Sequence, residues 1–258
     1  MHDCSTVPAA GAARAVRGVC LLLAAVAAGA CLGAGKQNTL PALTPEGFLA
    51  MNTAVQPPGG ELPADARIRL NPSNGTIESL KGENLSAFLE RDAQFLGQVR
   101  SGLWGEASVS FLKALGTRVR LNDPALELSV ESVVSDDLGF RHVRLGQRYR
   151  GLPVWEAGII VHWNSRGAIY LVNGDYLPTP SAMSVRPGLD PAAALQKAEV
   201  AAAVPCRDCL PELGVFGHAG DRARLAYRLM IPDGIARVWK ITLDAHDGEV
   251  LQKLLVPR

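Results

Sequence analysis

The spacing of hydrophobic and polar residues changes several times along this chain, and each change predicts an element. Arg67-Ile68-Arg69-Leu70 alternates polar with apolar, Asn74-Gly75 is a strong tight-turn dipeptide, and residues 76–81 can return as a second strand. Over 84–100, Leu85, Phe88, Leu89, Leu96 and Val99 recur at roughly helical spacing while Glu90, Arg91 and Gln94 can face water, which predicts one amphipathic helix. Residues 111–122 fit either a short helix or an irregular connector. Strands are predicted at 126–134, 141–148, 158–164 and 168–176, the last two joined by a turn at Asn164-Ser165-Arg166-Gly167.

A proline-rich break, Leu177-Pro178-Thr179-Pro180, interrupts this antiparallel meander. A second helix is then predicted, with Asp190 as N-cap, Pro191 at the first helical position and strong helix formers over 192–203. Strands resume at 224–231, 236–244 and 249–255, separated by turns at Pro232-Asp233-Gly234 and His246-Asp247-Gly248. The order predicts an α+β fold of two related modules, residues 66–180 and 181–258, each a helix packed on a curled antiparallel sheet.

The N-terminal region reads differently. Arg14 and Arg17 precede a short apolar run over 18–28, and Ala28-Gly29-Ala30 supplies the small-x-small pattern of a cleavage site, so residues 1–30 read as a secretory signal peptide. The run is too short for a bilayer span of about 20 residues. Cys31 follows the small triplet, where a bacterial lipoprotein signal presents its acylated thiol, although Ala28 occupies the usual leucine position. Lipidation at Cys31 and ordinary cleavage both stay open. Residues 31–65, rich in Gly, Pro, Ala and Thr, are expected to be a flexible spacer. The protein is therefore expected to be exported, either as a cell-envelope lipoprotein or as a secreted protein, touching a membrane only through an N-terminal lipid.

Charge narrows the partners. The chain carries 26 basic and 25 acidic side chains, and loss of Arg14, Arg17 and Asp3 with the signal leaves the two equal. That balance, with no basic run interleaved with aromatics, argues against nucleic acid. Of five cysteines, Cys4 and Cys20 leave with the signal, and Cys206-Arg207-Asp208-Cys209 forms a C-x-x-C flanked by Pro205 and Pro211. In an oxidising compartment the pair favours a structural disulfide over redox chemistry, and no second pair completes a zinc site.

Searching for reactive chemistry returns little. The histidines, His2, His142, His162, His218 and His246, include no H-E-x-x-H spacing. There is no G-x-S-x-G elbow, no P-loop and no G-x-G-x-x-G. Asp136-Asp137, Asp244 and Asp247-Gly248-Glu249 fall in predicted turns, where carboxylates cap turns more often than they catalyse. His142 and His162 lie in predicted strands and read as packed or rim residues. No catalytic set, metal site or cofactor is expected, and the chain reads as a non-enzyme.

One segment carries a specific resemblance. Asp137-Leu138-Gly139-Phe140, the strand His142-Val143-Arg144, the bend Gln147-Arg148-Tyr149-Arg150-Gly151-Leu152-Pro153-Val154, then Val161-His162-Trp163, Gly167 and Asn173-Gly174-Asp175 together resemble the fungalysin/thermolysin propeptide motif. Residues 189–198, Leu225-Ala226-Tyr227-Arg228-Leu229 and 239–251 look like the PepSY-type module that follows that motif in thermolysin-like proregions. The likeness covers roughly residues 67–255. It implies an inhibitor or folding helper of a secreted thermolysin-like zinc metalloprotease. Leu254, Leu255, Val256, Pro257 and Arg258 are expected to form a flexible tail able to enter the protease cleft. The chain stops where a family precursor would continue into its catalytic domain, so a proregion of a truncated precursor is an alternative. A surface lipoprotein using the same fold without a protease partner is another.

Overall fold

The computed structural model describes residues 60–217 and 222–257. The signal peptide, Cys31, Arg258 and all but the last residues of the expected spacer lie outside the described residues. Among the described residues, ten strands and four α-helices follow an α+β order: β1 (Arg67–Leu70), β2 (Ile77–Lys81), α1 (Ala93–Arg100), α2 (Trp104–Ala114), α3 (Pro124–Glu127), β3 (Leu128–Ser135), β4 (Arg141–Tyr149), β5 (Leu152–Trp163), β6 (Ile169–Asp175), α4 (Pro191–Ala202), β7 (Glu212–Phe216), β8 (Arg224–Asp233), β9 (Arg237–Asp244) and β10 (Val250–Pro257). None of the described helices is long and apolar enough to cross a membrane.

The strands form one open mixed sheet, running β1-β2-β6-β5-β7-β8-β9-β10, with β4 and β3 branching from β5. β5 organises it. Its C-terminal half lies antiparallel between β4 (Val143↔Val161, Leu145↔Ile159) and β6 (Val161↔Val172), while its start meets β7 in parallel at Val154↔Val215. The turn into β5 is a two-residue hairpin loop, Arg150-Gly151, with φ of 49° and 86°, the positive-φ pair that matches the twist of the flanking strands.

Alternation on these strands sends one face into a core. Ile77, Leu80, Val143, Leu145, Ile159, Val161, Trp163, Ile169 and Val172 meet Phe95 of α1 and Ala107, Phe111 and Leu112 of α2. The Trp163 indole N–H donates to Ser108 Oγ at 3.0 Å, so this fully buried ring has a satisfied donor. On α4, Ala194, Ala198 and Ala202 recur every four residues and let the helix pack against Leu225, Tyr227, Leu229, Ile231, Ile241 and Leu243 of β8 and β9.

The two expected modules do not separate into two bodies. A third cluster, Tyr149, Val154, Leu177 and Val215, lies where β5 meets β7; Leu152 packs against it and against the α4 core, and Ala157 packs against it and against the α1–α2 core. The described residues accordingly fall in one compact unit.

Local differences from the sequence reading have physical causes. The single helix expected over 84–100 is a 3-10 turn at Ala87–Leu89 followed by α1, because Asp92 adopts extended geometry and its carboxylate caps Phe95 N at 2.8 Å. The stretch read as helix or connector is mostly helix α2 and a 3-10 turn. β7 was not predicted: Gly214 weakens its strand character, yet a Cβ there would come within 2.5 Å of the Trp155 indole, so only glycine fits.

Candidate functional site

Helices cover one face of β3–β6 and leave the other open. Cross-strand partners share a face, so the register lines up Ser132, Arg144, Ile160, Asn173 and Ser79 in one row and Val134, His142, His162, Leu171 and Lys81 in the next. A third row, Gly146, Gly158 and Asp175, has no side chains on its central two strands. A Cβ on Gly158 would lie 2.6 Å from the Leu145 carbonyl oxygen, so that glycine is required by close strand approach. The result is a groove of about 450 Å³ floored by Gly146 and Gly158 and walled by Glu131, Arg144, Arg148, Trp155, Glu156 and Ile160.

One end of the groove is strained. Glu156 has φ of 64° in the middle of β5, a left-handed conformation that costs a non-glycine residue about 1–2 kcal/mol. This kink turns the strand from its parallel partner β7 toward β4 and β6. The Glu156 carboxylate pairs with Lys240 and, at 3.3 Å, with Arg228 Nη2, so the bend is tied to β8 and β9. The Arg228 guanidinium lies 4.2 Å over the Trp155 ring. Burial lowers the pKa of Arg228, while Glu156 and then Glu212 push it back up. Trp155 Nε1 and Arg228 Nε are buried with no hydrogen-bond partner among the described residues, an arrangement that costs stability.

In the second row, His142 Nδ1 and His162 Nδ1 are 2.7 Å apart, the rings meeting edge to face. Asp136 Oδ2 lies 3.6 Å from His142 Nε2, and Asn173 Nδ2 lies 3.3 Å from His162 Nε2. Burial first, and the charge on His142 second, hold the His162 pKa below its ordinary value. Among the described residues no three His, Cys, Asp or Glu side chains converge on a metal position. The face offers paired charges, a few apolar side chains and a concave floor.

The residues singled out from the sequence lie elsewhere. Cys206 and Cys209 are joined by a disulfide in the loop between α4 and β7, where Cys206 N donates to Glu199 Oε1 and Cys209 Sγ sits 3.2 Å from the Met230 carbonyl oxygen. A second groove of about 430 Å³ runs beside that loop and shares no lining residue with the first. Leu254, Leu255, Val256 and Pro257 do not form a free tail. They pair with Lys240, Trp239, Val238 and Arg237 as strand β10, because the antiparallel register with β9 satisfies their backbone hydrogen bonds and completes the sheet. Glu156, Arg228 and Lys240 were missed, since a charge within a strand reads as solvated and its partners are 72 and 84 residues away.

Residues 127–176 match the family Fungalysin/Thermolysin Propeptide Motif, so the matched span coincides with β3–β6. The chain is 27% identical over 183 residues to a bacillolysin of Bacillus amyloliquefaciens, covering 66% of this chain and 35% of that protein. It is 30% identical over 141 residues to a thermolysin of Alicyclobacillus acidocaldarius subsp. acidocaldarius, covering 49% of this chain and 25% of that protein. The homology is with the propeptide portion, and the chain spans a quarter to about a third of the length of these curated relatives. Among solved structures, the Bacillus megaterium YpeB C-terminal domain aligns over 62% of this chain and 66% of its own at 10% identity and a TM-score of 0.35, a likeness too low to carry an argument.

Proposed function

We propose, from the propeptide motif at residues 127–176 and its homology to thermolysin and bacillolysin, that this protein is an exported, non-catalytic propeptide-like module. It binds a thermolysin-like zinc metalloprotease, helping it fold or holding its cleft closed. The observation that carries this reading is the coincidence of the matched span with β3–β6, whose outer face is covered by no helix among the described residues. An antiparallel sheet with one face packed and one face free is complete as a fold and still has a surface to offer.

The surface has the chemistry of a protein interface. Ile160, Leu171 and Val134 supply apolar area, and Arg144, His142, His162 and Asn173 supply directional polar contacts. The edge strand β10 adds a second mode: its outer edge can accept an extended segment by strand addition, with Leu254 and Leu255 exposed there. On this reading residues 66–180 present the open face, and residues 181–258 brace it through Glu156, Arg228 and Lys240.

Ile160→Asp and Arg144→Glu test the face directly, because both side chains point away from the core. Each is expected to weaken inhibition or assisted refolding of a thermolysin-like protease by roughly ten-fold or more while leaving the far-UV circular dichroism spectrum unchanged. Undiminished activity in both variants would rule the face out.

A further inference from the structure

With the Asn173 amide oriented as it stands and Asp136 beside the far ring, the hydrogen bonds of the histidine pair on the open face run in one direction. Asn173 Nδ2 can only donate, so His162 Nε2 accepts and carries no proton. Neutral His162 is therefore protonated on Nδ1, which donates across 2.7 Å to His142 Nδ1. Neutral His142 then carries its proton on Nε2, the nitrogen 3.6 Å from Asp136 Oδ2. That carboxylate is fixed in place, since its Oδ1 accepts from Leu138 N at 3.0 Å and Phe140 N at 2.9 Å within the β3–β4 turn. Four side chains from the β3–β4 turn, β4, β5 and β6 form one directional chain, with both rings neutral.

Adding protons has unequal consequences. A first proton on the pair keeps the link: His142 gains Nδ1–H and donates to His162 Nδ1, His162 moves its own proton to Nε2, and Asn173 turns its carbonyl oxygen toward it. Asp136 supplies the counter-charge. A second proton places two N–H donors face to face and two cations with ring centroids 4.9 Å apart. The surrounding groups add no relief. Arg144 on β4 and Lys81 on β2 share the face and are cationic, Arg166 stands in the β5–β6 turn, and β3 contributes only Val134 to this row. Tyr170 on β6 approaches His162 with its ring, 6.1 Å between centroids, and Asp137 neighbours Asp136 in the turn.

We propose that His142 and His162 form a proton-operated latch across β4 and β5, closed while the pair holds at most one added proton and open when both rings are charged. Opening loosens the β4–β5–β6 outer face in acid. The latch is a property of the folded chain itself, independent of the protease-binding reading.

The test uses the whole protein and follows ring ¹⁵N–¹H correlations and amide hydrogen exchange from about pH 8 to about pH 4.5. Neutral wild-type protein should show the Nδ1–H tautomer for His162 and Nε2–H for His142. His162 should take up its proton below the ordinary histidine range, and protection of β4 and β5 amides should fall roughly ten-fold as it does. His162→Gln should abolish that fall. A His162 ring that titrates at the ordinary value, two Nε2–H tautomers at neutral pH, or the same loss of protection in His162→Gln would overturn the latch.

Discussion

Glu156 and Arg228 are 72 residues apart in sequence, yet Glu156 Oε1 lies 3.3 Å from Arg228 Nη2 across the bend of β5. That contact ties the open face of β3–β6 to the strands packed on α4. It also places a charged residue where the backbone would prefer glycine. Glu156→Gly and Glu156→Ala both remove the carboxylate, but only glycine removes the left-handed penalty. The glycine variant should therefore be more stable than the alanine variant by about 1 kcal/mol, read from urea denaturation midpoints.

The glycine floor gives a second contrast. Gly158→Ala drives a Cβ against the Leu145 carbonyl oxygen, which is backbone and cannot step aside, whereas a Cβ on Gly146 meets the exposed Glu131 side chain, which can swing into water. Gly158→Ala should cost about 2–3 kcal/mol and Gly146→Ala about 1 kcal/mol or less in equilibrium unfolding.

Tyr176 predicts an alkaline limit to stability. Its hydroxyl donates to the Val119 carbonyl oxygen at 2.9 Å and accepts from Ile77 N at 3.2 Å, and burial pushes its pKa up to about 12. The folded state holds this proton more tightly than the unfolded chain, so the contribution is complete below pH 10 and is lost as pH rises from 10 toward about 12. Tyr176→Phe should be less stable at neutral pH by about 1–3 kcal/mol. It should also lack the loss of stability above pH 10 that the wild type is expected to show in thermal scans.

The Cys206–Cys209 disulfide closes a short loop between α4 and β7, and its effect on the unfolded chain is correspondingly small. Reduction, or Cys206→Ser with Cys209→Ser, should lower stability by about 2 kcal/mol without loss of the sheet. Thermal unfolding with and without reductant measures this.

Much of the fold was legible because local chemistry and tertiary packing agree. Asp190 caps α4 by accepting from Ala193 N at 2.9 Å with Pro191 behind it, and Asn74-Gly75 makes its turn with Gly75 at φ 69°. The β4–β6 meander follows the alternation of its residues. What escaped reading depends on distant partners. β7 is a strand because Trp155 and β8 flank it, despite the glycine at its centre. Leu254–Pro257 look like a tail until β9 is beside them. The charged clasp on Glu156 and the histidine pair need cross-strand register, which no local pattern discloses.

The central claim is that this chain binds a thermolysin-like metalloprotease as its propeptide-like partner. Titrating the exported protein against such an enzyme, while following peptide hydrolysis and the yield of active enzyme on refolding, tests it most directly. The account predicts saturable inhibition or a saturable gain in refolding yield, weakened by Ile160→Asp. Hydrolysis and refolding yield that both stay unchanged at saturating protein, across thermolysin-like enzymes from the same source, would contradict it.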